Sequence, residues 1–147
     1  MRCGVSLRLL LGLALGALAQ VVPGATPIDL QLIGRWCSAE VTLRRADGTT
    51  SSSRSNASQY TVQTFSKDRV VVEWVRQPQW ARWTQSYTVV SAGQLAMKML
   101  EHSSLPSLVG SKSTYRYRTQ GDVLKLISEP QQKEEPVVES TWTRCQD

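Results

Sequence analysis

The sequence predicts an all-β domain, either a sandwich or a closed barrel. Three observations carry this. About eight short runs, rich in β-branched and aromatic residues, alternate at period two between turn residues. No run after the first twenty residues has a convincing amphipathic helical period. The two cysteines beyond that N-terminal stretch, Cys37 and Cys145, stand at opposite ends of the patterned region.

The chain has 147 residues, enough for one domain and too few for two ordinary ones. Residues 1–19 are set apart. Arg2 and Arg8 stand near the start, the run 9–18 is apolar, and Ala17 and Ala19 supply the small residues of a cleavage site. That is the pattern of a secretory signal peptide cut after Ala19, with an uncleaved anchor as the alternative; the apolar run is too short to span a bilayer comfortably. Cys3 precedes the apolar run and leaves with the peptide. The mature chain is therefore expected to be soluble, without a membrane span, and periplasmic or secreted. Without Arg2 and Arg8 the 17 basic residues fall to 15 against 12 acidic ones, a net charge of about +3. No long basic run accompanies that small excess, so nucleic acid is not an expected partner.

The elements follow in order. Residues 20–29, "QVVPGATPID", hold two prolines, a glycine and no period, and read as a flexible leader. Alternation begins at Leu30, with Leu32, Gly34 and Trp36 on its face and Ile33, Arg35 and Cys37 on the other, and the strand runs to Arg45. The stretch 47–58, "DGTTSSSRSNAS", has nothing to bury and reads as a mobile loop. It contains a glycosylation sequon at Asn56. Strands are expected at 59–65 and 69–76, the second ended by Pro78, which cannot donate to a ladder. The next strand, 81–90, turns at Gly93 into 94–101, where the tight turn and short length favour strand over helix. A loop around Pro106 and Gly110 leads to a strand at 113–119. Gly121 turns the chain into 123–128. A polar loop, "EPQQKEEP", precedes the last strand, 137–145.

An even pair of cysteines in an exported domain reads as a disulfide, Cys37 to Cys145. Such a bond brings the first and last strands together. Side chains alternate faces along a strand, so Trp36 and Arg144 then share the face opposite the bond, about one diagonal step apart. A guanidinium over an indole gains about 0.5–2 kcal/mol. Closure of a barrel would thus be specified twice. A bond between two packed sheets, with Trp36 as a core residue, is the alternative.

Gly34-Arg35-Trp36 resembles the G-x-W element that opens lipocalins and related calycins, and Arg144 in "TWTRC" matches the late arginine that packs across the tryptophan in that family. The resemblance implies an eight-stranded up-and-down antiparallel barrel, with Gly34, Trp36 and Arg144 as structural residues at its closed end. The stretch 47–58 would be the lid over the open end. The chain departs from lipocalins in stopping two residues after Cys145, with no helix beyond the barrel.

No catalytic site, cofactor or metal site is expected. His102 is the single histidine, no C-x-x-C or H-x-x-x-H exists, and there is no G-x-S-x-G elbow, P-loop or G-x-G-x-x-G. His102 reads as a solvated loop residue, and Glu134 and Glu135 as solvated carboxylates. The positive signal is aromatic, thioether and aliphatic. Trp83, Tyr87, Met97, Met99, Tyr115, Tyr117, Leu124 and Leu126 recur at period two and would line a barrel interior. A barrel of eight strands can be filled or can hold one small ligand. Two functions follow: a carrier or sensor for a small hydrophobic molecule, or an interaction or inhibitor module with a filled core that binds another exported protein. For the second, "VRQPQWARW" offers Trp80 between Arg76 and Arg82.

Overall fold

The structure is a computed structural model, and it describes residues 28–146. The expected signal peptide, 1–19, and all but the last two residues of the expected leader, 20–29, lie outside the described residues. Nine strands follow one another: β1 (Gly34–Arg44), β2 (Thr50–Arg54), β3 (Gln59–Phe65), β4 (Arg69–Arg76), β5 (Gln79–Ser91), β6 (Gln94–His102), β7 (Lys112–Gln120), β8 (Val123–Glu129) and β9 (Val137–Arg144). A 3-10 turn, Pro106–Leu108, lies between β6 and β7. Every pairing is antiparallel, and β9 returns to β1, so that β1 and the seven strands from β3 onward close an up-and-down barrel. The sandwich alternative is thereby excluded.

Period two builds this barrel directly. On β4 Val70 and Val72 point inward, on β6 Leu95, Met97 and Met99, on β8 Leu124 and Leu126, and all are buried. Lys98 on β6 and Lys125 on β8, between them, are exposed. The predicted strands stand within a few residues of their expected ends. The exceptions are in the first sixty residues. Leu30, expected on a strand, is an exposed turn residue, and β1 begins only at Gly34. Asp29, expected in the flexible leader, is tied down.

The closed end explains both differences. Residues 29–32 turn across this closed end, held by the Leu32 amide donating to the Asp29 carbonyl at 3.0 Å. Leu32 is fully buried beneath. Trp36 Nε1 donates to the Leu32 carbonyl at 2.8 Å, Tyr117 Oη to Asp29 Oδ2 at 2.7 Å, and the Thr119 hydroxyl to Gln31 Oε1. The Arg144 guanidinium lies 3.8 Å from the Trp36 ring centroid, and its two terminal nitrogens donate to the carbonyls of Ile33 and Gln31 at 2.7 Å each. Trp36 and Arg144 are direct partners in the β1–β9 ladder, not diagonal ones. Gly34 completes the motif: its φ is 122°, and a Cβ there would collide with an Arg144 guanidinium nitrogen. The G-x-W spacing thus has a physical cause, since the arginine needs the space that a side chain would take.

The Cys37–Cys145 disulfide forms on the outer face, opposite Trp36, with Cα atoms 5.1 Å apart. Below it Val62, in register with Cys37, is buried although it faces outward.

The polar stretch 47–58 is not a free loop. It forms β2, which pairs with the outer half of β1 from Glu40–Arg54 to Arg44–Thr50. The reason is a bulge in β1 between Ser38 and Glu40. There β3 leaves β1, whose edge would carry unpaired backbone groups. Ser38 sits at the fork, its hydroxyl accepting from the Thr61 amide at 3.0 Å and meeting the Ser55 hydroxyl. Five Ser, Thr and Arg residues then need no core, because backbone pairing alone holds them.

Burial and the Asp29 hydrogen bond push the phenol of Tyr117 up to about 12. An unfolded tyrosine ionises near 10. The folded state therefore prefers the neutral phenol, and its stabilisation is complete below about pH 10 and is lost as the pH rises from about 10 to 12. In a phenolate absorbance titration, Tyr117 and Tyr87 should ionise later than the other two of the four tyrosines, and Tyr117→Phe should remove the Tyr117 share of that late phase. Simultaneous ionisation of all four in folded protein would show that the Asp29 segment does not seal this end.

Candidate functional site

The interior is divided in two along the barrel axis. At the closed end Leu32, Trp36, Phe65, Val70, Leu95 and Leu124 are buried completely or to within 1 % and pack in one core cluster. Toward the open end lies a cavity of about 360 Å³. Val41, Val72, Met97, Met99, Leu126 and Val138 form an aliphatic and thioether wall, and Trp83, Tyr115 and Trp142 supply rings. Leu108, from the 3-10 turn, stands at the mouth. The polar lining is Thr61, Gln63, Gln85, His102 and Ser140; no Asp, Glu, Lys or Arg is among the lining residues.

The eight residues expected to line the interior separate accordingly. Trp83, Met97, Met99, Tyr115 and Leu126 border the cavity. Tyr87, Tyr117 and Leu124 do not; they belong to the closed-end packing. Tyr87 is in register with Met97, but its hydroxyl donates to the Ser66 carbonyl at 2.6 Å and its ring meets Phe65 edge-on at 5.3 Å. Burial raises the Tyr87 phenol above its ordinary range, with the Asp68 charge adding to it. Tyr117 is turned to Asp29, and Leu124 is fully buried against the plug.

Sequence reasoning passed over much of the lining. Gln63 shares parity with Phe65 on β3, and Gln85 with Tyr87 on β5, so alternation already marked them as inward. Trp142 is inward with Arg144 by the same rule. Its Nε1 donates to the Ser140 hydroxyl at 2.8 Å, which leaves neither group free.

His102 is the clearest correction. It is no solvated loop residue but the end of β6, facing inward and stacked on Trp83 with ring centroids 5.2 Å apart and planes within 1°. A bulge opposite Thr84 and Gln85 inserts one residue, Leu100, and reverses the alternation. Met99 and His102 therefore both point inside. His102 Nδ1 accepts the amides of Ser104 and Leu105 at 3.2 and 3.0 Å, anchoring the loop that carries Leu108 over the mouth.

Outside the mouth Trp80 is 66 % exposed, and Leu105 and Val109 are also exposed. Among the described residues, no cluster of three or more His, Cys, Asp or Glu is placed to hold a metal ion, and no helix is long and apolar enough to cross a membrane.

No protein-family model matches the chain, and no curated protein matches it either. Solved structures do. A lipocalin-like protein from Bacteroides uniformis superposes with a TM-score of 0.50 at 14% identity, over 78% of this chain and 99% of that one. An uncharacterized protein from Bacteroides eggerthii gives 0.49 at 9% identity, with the same coverage. A redesigned β-barrel gives 0.44 at 15% identity, over 79% of this chain and 93% of the other. The likeness is one of fold: the barrel is lipocalin-like.

Proposed function

We propose that this protein is an exported carrier or sensor that holds one small hydrophobic molecule in the open half of its barrel. The observation that supports this is the cavity: about 360 Å³, walled by Met, Val, Leu and aromatic side chains. Ligand sites usually run from about 300 to 1,000 Å³ with apolar walls and few polar groups. An eight-stranded barrel is wide enough for one such ligand. Export rests on the disulfide, which persists in oxidising compartments, and on the leader sequence. The reading is of a binding protein without enzymatic activity. Its one histidine has Nδ1 engaged by two backbone amides, which favours a structural part for the ring.

The alternative, a module that docks on another exported protein, draws on Trp80 and the exposed Leu105 and Val109 near the mouth. One experiment separates the two. Folded protein titrated with the neutral apolar probe N-phenyl-1-naphthylamine should show saturable binding at one site. Leu126→Trp, which places a ring in the cavity, should weaken it by about tenfold or more. Arg116→Ala, on the outer face, and Tyr117→Phe, at the closed end, should not. Absence of probe binding in folded protein, or binding untouched by Leu126→Trp, would remove the carrier reading and leave the module.

A further inference from the structure

We propose that the cavity selects an uncharged amphiphile, an apolar body with one neutral hydrogen-bonding head group such as an amide or alcohol, and rejects the matching carboxylate; this deepens the carrier reading and rests on it. The argument starts from the floor. Gln63 is in register with Trp36 on one side and Val72 on the other, and Gln85 with Val70 and Met99. Trp36 and Val70 belong to the filled closed end, so these two amides stand where the packing stops and the cavity begins. They flank β4 from β3 and β5. Neither side chain makes a hydrogen bond to any described residue. Each amide therefore presents a carbonyl acceptor and an NH₂ donor to whatever enters.

No fixed charge accompanies them. The lining contains no Lys, Arg, Asp or Glu. His102 Nδ1 accepts the amides of Ser104 and Leu105, so that nitrogen is not offered to a head group. The Arg144 guanidinium is committed to Trp36 and the Ile33 and Gln31 carbonyls. A carboxylate driven to this floor would lose its hydration with no cation to replace it, which is costly. A neutral head gives up less hydration and finds both a donor and an acceptor. Aliphatic and thioether walls above the floor take the apolar body.

The test is displacement of N-phenyl-1-naphthylamine by three ligands of one chain length, decanamide, decanol and decanoate, at about pH 8, where the acid is ionised. The amide and alcohol should each compete at least about tenfold better than decanoate. Gln63→Leu combined with Gln85→Leu should bring that ratio close to one while the probe still binds. Loss of an unpaired polar group need not destabilise the fold, and a thermal melt checks this. Decanoate competing as well as the neutral ligands overturns the proposal and leaves the carrier reading standing. A preference for neutral ligands that survives in the double variant overturns the role of the two glutamines. Failure of the probe itself to bind folded protein overturns the carrier reading and this proposal together.

Discussion

Protein lacking the Cys37–Cys145 bond is expected to be less stable by about 2–5 kcal/mol. The two cysteines are 108 residues apart in sequence, so the loop they close is nearly the whole domain. In the chain-entropy picture, closing a loop of about 100 residues removes about 4.7 kcal/mol of unfolded-state freedom. The folded state loses little when the bond is cut, because β1 and β9 remain paired along eight positions from Trp36–Arg144 to Arg44–Val137. The effect therefore acts mainly on the unfolded chain. Urea unfolding with and without reductant measures it, and the Cys37→Ala/Cys145→Ala variant should match the reduced protein. Domains of this size have about 5–15 kcal/mol in total, so the loss would be a large share. Thiol labelling of native, unreduced protein should find neither cysteine; labelling of both would refute the bond.

Parity along a strand was readable from residue types, and height along the barrel axis was not. Alternation on β6 set Leu95, Met97 and Met99 inward, and it put Trp36 opposite in face to Cys37. The two ends therefore match from residue types alone. Height depends on how far each strand is staggered against the next, and side-chain period carries no trace of that. Tyr87 and Tyr117 were therefore grouped with Met97 although their hydroxyls point down to Ser66 and Asp29. Bulges are the second hidden quantity. The extra residues Ala39 and Leu100 carry no glycine signature, yet each shifts parity by one and delivers Val41 and His102 to the cavity. The third is edge pairing. Residues 50–54 have no apolar face, so nothing in their composition showed that the split of β1 from β3 would leave them an edge to pair with. Gln63 and Gln85 differ from all of these. Their parity is legible, but a glutamine at an inward position carries no apolar signal that marks it as part of a lining.

Arg144→Ala is expected to cost about 2–4 kcal/mol. Hydrogen bonds to a charged group contribute about 1.5–3 kcal/mol, and a cation over an indole adds about 0.5–2. These terms overlap, since one guanidinium makes them all, so their sum is an upper bound. What is lost is more than charge. The two hydrogen bonds hold the carbonyls of Gln31 and Ile33, and those residues carry Leu32 into the barrel end. Arg144→Lys should recover only a minor part, because an ammonium cannot fork onto two carbonyls while lying flat on a ring. Hydrogen exchange at the Leu32 amide, bonded to Asp29, should accelerate in Arg144→Ala beyond what the drop in global stability explains. Gly34 supplies an independent check through a double-mutant cycle. Gly34→Ala in the native background suffers twice, from its φ of 122° and from collision with the guanidinium. In the Arg144→Ala background the collision is gone and only the backbone strain remains. The two substitutions should therefore be less than additive. Strict additivity, or an Arg144→Ala protein within about 0.5 kcal/mol of wild type, inside the scatter of ordinary surface changes, would mean that the guanidinium rests on Trp36 without holding the end of the barrel shut.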